Sequence, residues 1–157
     1  IEHKNRSKRD AQDFFNTVFT FFVLTVSGMI VAAYFLMPYL IPKIVPGFDI
    51  EAQTLTIVLA RVMLFSPFLL GISSLVSSIV QSSRKFLTFA LAPVAYNVGI
   101  IFGVLYFVPK FGFLGLAYGV TLGALLHLGI QIPTLLRLGA FPRFRINMRT
   151  NPLQVMY

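Results

Sequence analysis

Four side chains inside the apolar stretches of this 157-residue sequence carry groups able to bind or transfer something: Arg61, Asn97, His127 and Gln131. Arg61 is a cation well inside an apolar run, about two turns from its nearer end. Its two readings are snorkelling to the near interface and facing a cavity. Asn97 sits mid-segment, four residues after Pro93. It either bonds a carbonyl freed near that break, bonds across to another helix, or meets a ligand. His127 could relay protons, but no carboxylate lies in the apolar cores to exchange with it, which favours packing and hydrogen bonding. The five acids, Glu2, Asp10, Asp13, Asp49 and Glu51, are scattered. No Asp, Glu or His cluster of the kind that acid–base or metal-assisted catalysis needs is present. Absence of Cys removes disulfides and thiolate metal sites. The chemistry on offer is binding and passage, not catalysis, with no metal and no cofactor expected.

The elements that carry these residues are long and apolar. The chain is 57% hydrophobic and 11% charged, against about a quarter charged in an ordinary soluble domain. Crossing a bilayer takes roughly 20 apolar residues, and such segments fill most of the length. The fold class is all-α, a polytopic helical membrane protein with four transmembrane helices. They are expected at about 11–40, 52–82, 86–107 and 113–138. A basic entry segment, 1–10, precedes them and a basic exit segment, 139–157, follows.

Local chemistry shapes each helix. In the first, Asp13, Asn16, Thr20 and Ser27 fall in one sector, a stripe that faces either water or neighbouring helices. Pro38, Pro42 and Pro46 are expected to close this helix, before the turn Pro46-Gly47-Phe48-Asp49. Pro67 sits inside the second helix and should kink it, since it removes a backbone donor and crowds the preceding turn. Gly71, Ser74, Ser78 and Ser82 share a face of that helix, suited to close packing or to sliding against a partner. Pro93 breaks the third helix early, where the penalty is smaller, and Gly99 and Gly103 form a small-xxx-small pair nearly opposite Asn97. The fourth carries Gly115, Gly119 and Gly123 at four-residue spacing, a ridge that His127 and Gln131 extend.

Charge orients the set. Lys4, Arg6, Lys8, Arg9, Arg84, Lys85, Arg137, Arg143, Arg145 and Arg149 lie at the two ends and in the short turn after Gln81. Lys43 and Lys110 lie in the opposite loops. Short loops rich in Lys and Arg resist translocation, so four crossings with both ends cytoplasmic satisfy the rule without exception. The net charge of +8 would suit nucleic acid only as a basic face on a soluble fold. Cations gathered at loops, and interleaved with Phe141, Phe144, Ile146 and Met148 at the exit, suit anionic membrane lipids instead. No nucleic-acid partner is expected. The start at Ile1 and the end at Tyr157 read as those of an internal piece of a longer protein.

Several strings carry a family likeness: PGF at 46–48, FSPFLLG at 65–71, QSSRKF at 81–86, ALAPVAYNVGII at 90–101 and GLAYGV at 115–120. QIP at 131–133, then Arg137, Gly139, Pro142 and Arg143, continue it. In order and spacing, from about 11 to 149, the chain resembles the MurJ/MviN lipid II flippases. That resemblance implies the third to sixth helices of a fourteen-helix protein, within the N-terminal lobe of the MOP (multidrug, oligosaccharidyl-lipid, polysaccharide) exporter fold. It implies a bacterial inner-membrane transporter that carries an undecaprenyl-pyrophosphate-linked peptidoglycan precursor to the outer leaflet by alternating access. The partners it implies are lipid II, or a related polyprenyl-pyrophosphate-linked saccharide, and the remaining helices of the parent protein. The family's cavity arginines lie mainly on its first, second and eighth helices, so they have no counterpart here. Arg61, Asn97 and Gln131 remain as candidates for lining or supporting the cavity. Pro67, Pro93, Gly115, Gly119 and Gly123 remain as kink and packing positions. The alternatives are a flippase for another lipid-linked oligosaccharide of O-antigen type, a cation-coupled multidrug exporter, and a non-transporting scaffold. The drug exporter would be expected to show intramembrane carboxylates.

Overall fold

The computed structural model describes residues 2–139 and 141–142, with side chains from Gln12 onward. The arginines at 143, 145 and 149 lie outside the described residues, as do the side chains of the basic entry segment. Among the described residues the chain is helical with no strand: α1 (Glu2–Ile44), α2 (Ile50–Met63), α3 (Phe65–Ser82), α4 (Phe86–Phe102), α5 (Val108–Phe111), α6 (Phe113–Gly129) and α7 (Ile132–Arg137). These join into four apolar spans, Gln12–Ile44, Ile50–Ser82, Phe86–Phe111 and Phe113–Arg137, each long enough to cross a bilayer. An even number of crossings puts both ends of the described segment on one side.

The turns follow from local chemistry. Asp49 caps α2, its carboxylate accepting from the Ala52 N–H at 2.7 Å, and the Gln53 amide donates to the Phe48 carbonyl at 2.9 Å. The first bond satisfies one of the N–H donors that a helix start leaves open, and the second ties the helix to the turn before it. Gly112, at φ 58° and ψ −137°, reverses the chain between the third and fourth spans in a conformation open in practice only to glycine. After the second span, Lys85 N–H reaches Val80 C=O at 3.2 Å and Arg84 N–H reaches Gln81 C=O at 3.0 Å. That pairing is a Schellman ending, and its left-handed position holds Arg84 at φ 58° where glycine is usual.

Two helices depart from the sequence expectation, and a third is interrupted. α1 does not stop at Pro38 but runs through it and through Pro42 to Ile44. Pro38 leaves the Tyr34 carbonyl without its N–H, and the Arg61 Nε donates to that carbonyl at 3.1 Å, so the turn keeps a hydrogen bond from another helix. The second span is interrupted at Leu64, three residues before Pro67. A proline crowds the carbonyl four residues back, here that of Met63. The third span does not end near Phe107. It passes through a π-helical turn at Gly103–Phe107, in which Val108 N–H bonds Gly103 C=O, and continues as α5.

The helix α6 lies at the centre, against α2, α3 and α4, while α1 packs on α2 and α3. Its contact face is built from small residues: Gly115, Ala117, Gly119, Gly123 and Ala124 are buried. The glycines pair antiparallel with those of the third span. A Cβ on Gly99 would strike the Gly123 backbone, one on Gly103 the Gly119 backbone, and one on Gly115 the backbone at Phe107 and Val108. Without a hydrophobic drive in lipid, such backbone-to-backbone approach is what holds helices together. The side-chain core is correspondingly small, Val76, Val80 and Leu135 with Ile79 and Leu128 around them. Many large apolar residues, such as Phe35, Leu87 and Leu105, face outward, as lipid-facing or helix-facing surfaces must.

Candidate functional site

A polar seam runs between the second and fourth spans. Its centre is Gln131, which has no solvent exposure. The Gln131 Nε2 donates to Ser73 Oγ at 2.7 Å and to the His127 carbonyl at 3.0 Å, and its Oε1 accepts from Ser77 Oγ at 2.8 Å. Ser73, also unexposed, accepts from Gln131 and stands 2.6 Å from His127 Nδ1. The Tyr96 ring meets the His127 ring edge-on at 6.4 Å. Ser66 and Thr121 at 3.4 Å continue the seam toward one end, and near the other Thr88 of the third span stands 3.0 Å from Thr134 of the fourth. Among the described residues no buried side-chain donor or acceptor lacks a partner. Such a satisfied network orients helices and fixes their register. His127 holds a hydrogen bond within it, to a serine and not to a carboxylate.

Ser73 and Ser77 were not singled out by sequence reasoning, which instead picked the neighbouring face of Ser74, Ser78 and Ser82. Those three are exposed and back-bond within their own helix, while Gly71 meets the Phe22 ring. One residue of offset turns a helix by 100°, so partners alone could decide between the two serine faces. The spacing of His127 and Gln131, one turn apart, was the usable signal.

Asn97 stands apart from this seam. It is exposed, and its Nδ2 donates to the carbonyl of Pro93 in its own helix at 2.9 Å. The carbonyl that Pro93 frees is that of Phe89, so Asn97 does not fill it, and it does not bridge to another described helix. Its carbonyl oxygen has no partner among the described residues. In a membrane span such a group needs a water-filled space or another helix beside it.

Arg61 lies on the far side of the second span, against the first. Besides its bond to the Tyr34 carbonyl, its guanidinium sits over the Tyr34 ring, 4.3 Å from the centroid. A cation inside the hydrocarbon is costly, up to about 2.5–3.5 kcal/mol at the bilayer centre on insertion scales, and both contacts offset part of that. Inward from this pair runs a groove of about 310 Å³. The first span contributes Ser27, Ile30, Val31 and Phe35 to its walls, and the second contributes Leu64, Phe65 and Phe68. Arg61, Asn97 and Gln131 are therefore not gathered in one site. Gln131 is internal, Asn97 faces outward from the third span, and Arg61 closes the first-to-second interface. Pro67 and Pro93 are exposed on their helices, and Gly115, Gly119 and Gly123 of α6 lie in the contact with the third span. Among the described residues no group of His, Cys, Asp or Glu could hold a metal.

The sequence matches the model of a known protein family. The family model described as lipid II flippase MurJ matches residues 1–157. A probable lipid II flippase MurJ of Rickettsia prowazekii is 33% identical over 103 residues, covering 64% of this chain and 20% of that protein. One from Buchnera aphidicola subsp. Schizaphis graminum is 25% identical over 154 residues, 95% of this chain and 30% of the relative. One from Borreliella burgdorferi is 26% identical over 136 residues, 87% of this chain and 27% of the relative. The chain thus spans between a fifth and a third of the length of these relatives.

Proposed function

This chain belongs to the MurJ lipid II flippase family, and from that premise we propose that it forms part of a flippase for the lipid-linked peptidoglycan precursor. The family is one of transporters, not catalysts. The proposed substrate is the undecaprenyl-pyrophosphate-linked precursor, moved from the inner to the outer leaflet of a bacterial inner membrane by alternating access. The observation that carries the reading is the family match along the full chain. Four apolar spans with paired glycine faces and outward polar groups agree with a lobe that packs on further helices. Both ends of the segment are assigned to the cytoplasmic side, on the weight of Arg84, Lys85 and the terminal cations.

Within this reading the three candidate residues divide their work. Asn97 faces the substrate cavity or the helices that border it. Gln131 supports the wall from inside by holding the fourth span to the second, and Arg61 does so by holding the second to the first. Bending at the Leu64 interruption and at Pro93, which lies within the continuous helix α4, and sliding along the Gly115, Gly119 and Gly123 face, would accompany the change of access. The test is expression of the full-length protein in bacteria depleted of their own lipid II flippase. Restored growth, with lipid II again reachable by a probe added outside, is the expected result. Failure to rescue, with the protein present in the membrane, would reject the substrate. Asn97→Ala is expected to lower that rescue while leaving the protein's amount and thermal stability unchanged, because its side chain bonds only its own helix.

A further inference from the structure

We propose that the groove between the first and second spans is a binding site for an anionic phospholipid, its phosphate on Arg61 and one acyl chain laid inward along the trough. The site is amphipathic in the same order as such a lipid. At its outer end Arg61 uses one N–H on the Tyr34 carbonyl, while a guanidinium offers five. The N–H groups of its two terminal nitrogens have no partner among the described residues, and that planar fork fits two phosphate oxygens. Below it the walls are apolar except for Ser27.

Depth agrees with this assignment. The second span has 33 residues, about 50 Å of helix against about 30 Å of hydrocarbon. Centred, it meets the hydrocarbon boundary about seven residues from its first residue, near Ile57. Arg61 lies one turn deeper, close enough for its side chain to reach the headgroup level. Tyr34 belongs to the same belt from the first span. From Phe35 to Ser27 the groove descends about 12 Å into the bilayer. Its volume of about 310 Å³ falls at the low end of ligand pockets, roughly 300–1,000 Å³. The interruption of the second span at Leu64 sets the groove wall at the level where a chain would begin. A water-filled passage is disfavoured by the apolar walls, and a zwitterionic lipid would leave the cation without a net countercharge. The proposal concerns the flank of the first two spans and stands whichever substrate the protein carries.

The test uses the full-length protein, purified in detergent, stripped of lipid and titrated with phosphatidylglycerol or phosphatidylcholine of matched chains. Bound lipids are counted by native mass spectrometry. Wild type should bind phosphatidylglycerol about tenfold more tightly than phosphatidylcholine, and Arg61→Gln should remove most of that ratio while leaving phosphatidylcholine unchanged. Leu64→Trp, which fills the trough, should weaken both. A second readout needs no loss of binding: Phe65→p-benzoylphenylalanine, irradiated in membranes, should crosslink to phospholipid. Equal lipid ratios in wild type and Arg61→Gln would overturn the proposal. So would crosslinks from position 65 to other helices of the protein, or preferential capture of added lipid II there over phosphatidylglycerol.

Discussion

Replacing Gly119 with Ala should force the third and fourth spans apart. A Cβ at that position would stand 2.8 Å from the Gly103 Cα and 3.3 Å from the Ile100 carbonyl oxygen. Carbon atoms pack at about 3.5–4.0 Å, so relief requires roughly 1 Å of separation between two backbones that have no flexible side chain to give way. Overpacking of this kind costs about 1–3 kcal/mol. Alanine's helix preference over glycine returns up to about 1 kcal/mol, so the clash wins and the variant should be less stable. Gly28 supplies the opposite case, since nothing lies within 4 Å of a Cβ built there. Gly28→Ala should therefore be neutral or stabilising by up to about 1 kcal/mol. The assay is the fraction of full-length protein that stays monodisperse in detergent after graded heating, with both variants beside wild type. Gly119→Leu and Gly123→Leu should lose more, including expression. If Gly119→Ala matched wild type, or Gly28→Ala were equally damaging, the backbone-contact reasoning would be wrong.

Other residues make further demands on the same protein. Arg61→Gln should destabilise wild type more than it destabilises a Pro38→Ala background, because alanine in place of the proline restores the N–H that the Tyr34 carbonyl lacks. A double-mutant cycle on heat stability should return a coupling of about 0.5–1.5 kcal/mol, and additivity would refute that account of Arg61. Gln131→Leu leaves Ser73, Ser77 and the His127 carbonyl short of partners and should cost about 1–3 kcal/mol, read in the same heating assay. Arg84→Gly removes a left-handed non-glycine residue and should stabilise by about 1 kcal/mol. A drop in stability there would mean that the arginine side chain contributes more than the backbone strain costs.

Much of this fold could be read from side-chain chemistry along the chain, because span length and loop charge are local properties. The pairing of Gly99 with Gly123 and Gly103 with Gly119 could not. Each glycine face is visible in the sequence, yet nothing in either names its partner. The passage of α1 through Pro38 depends on an arginine 23 residues later, and such long-range compensation has no local signature. The π turn at Gly103–Phe107, two residues before Pro109, likewise has no signature in local propensity. For the candidate site, Arg61, Asn97 and Gln131 could be picked out as polar groups in apolar surroundings. Their separation into an interface bond, an outward face and a buried seam follows from helix rotation, which periodicity leaves open when both faces carry serine or glycine.

The most direct measurement is transport itself, with the full-length protein reconstituted into vesicles that carry lipid II in one leaflet. Time-dependent exposure of lipid II on the opposite face, above protein-free vesicles and reduced in Asn97→Ala, is the predicted result. No exposure of lipid II from correctly inserted protein, while another polyprenyl-linked saccharide crosses in the same vesicles, would contradict the account.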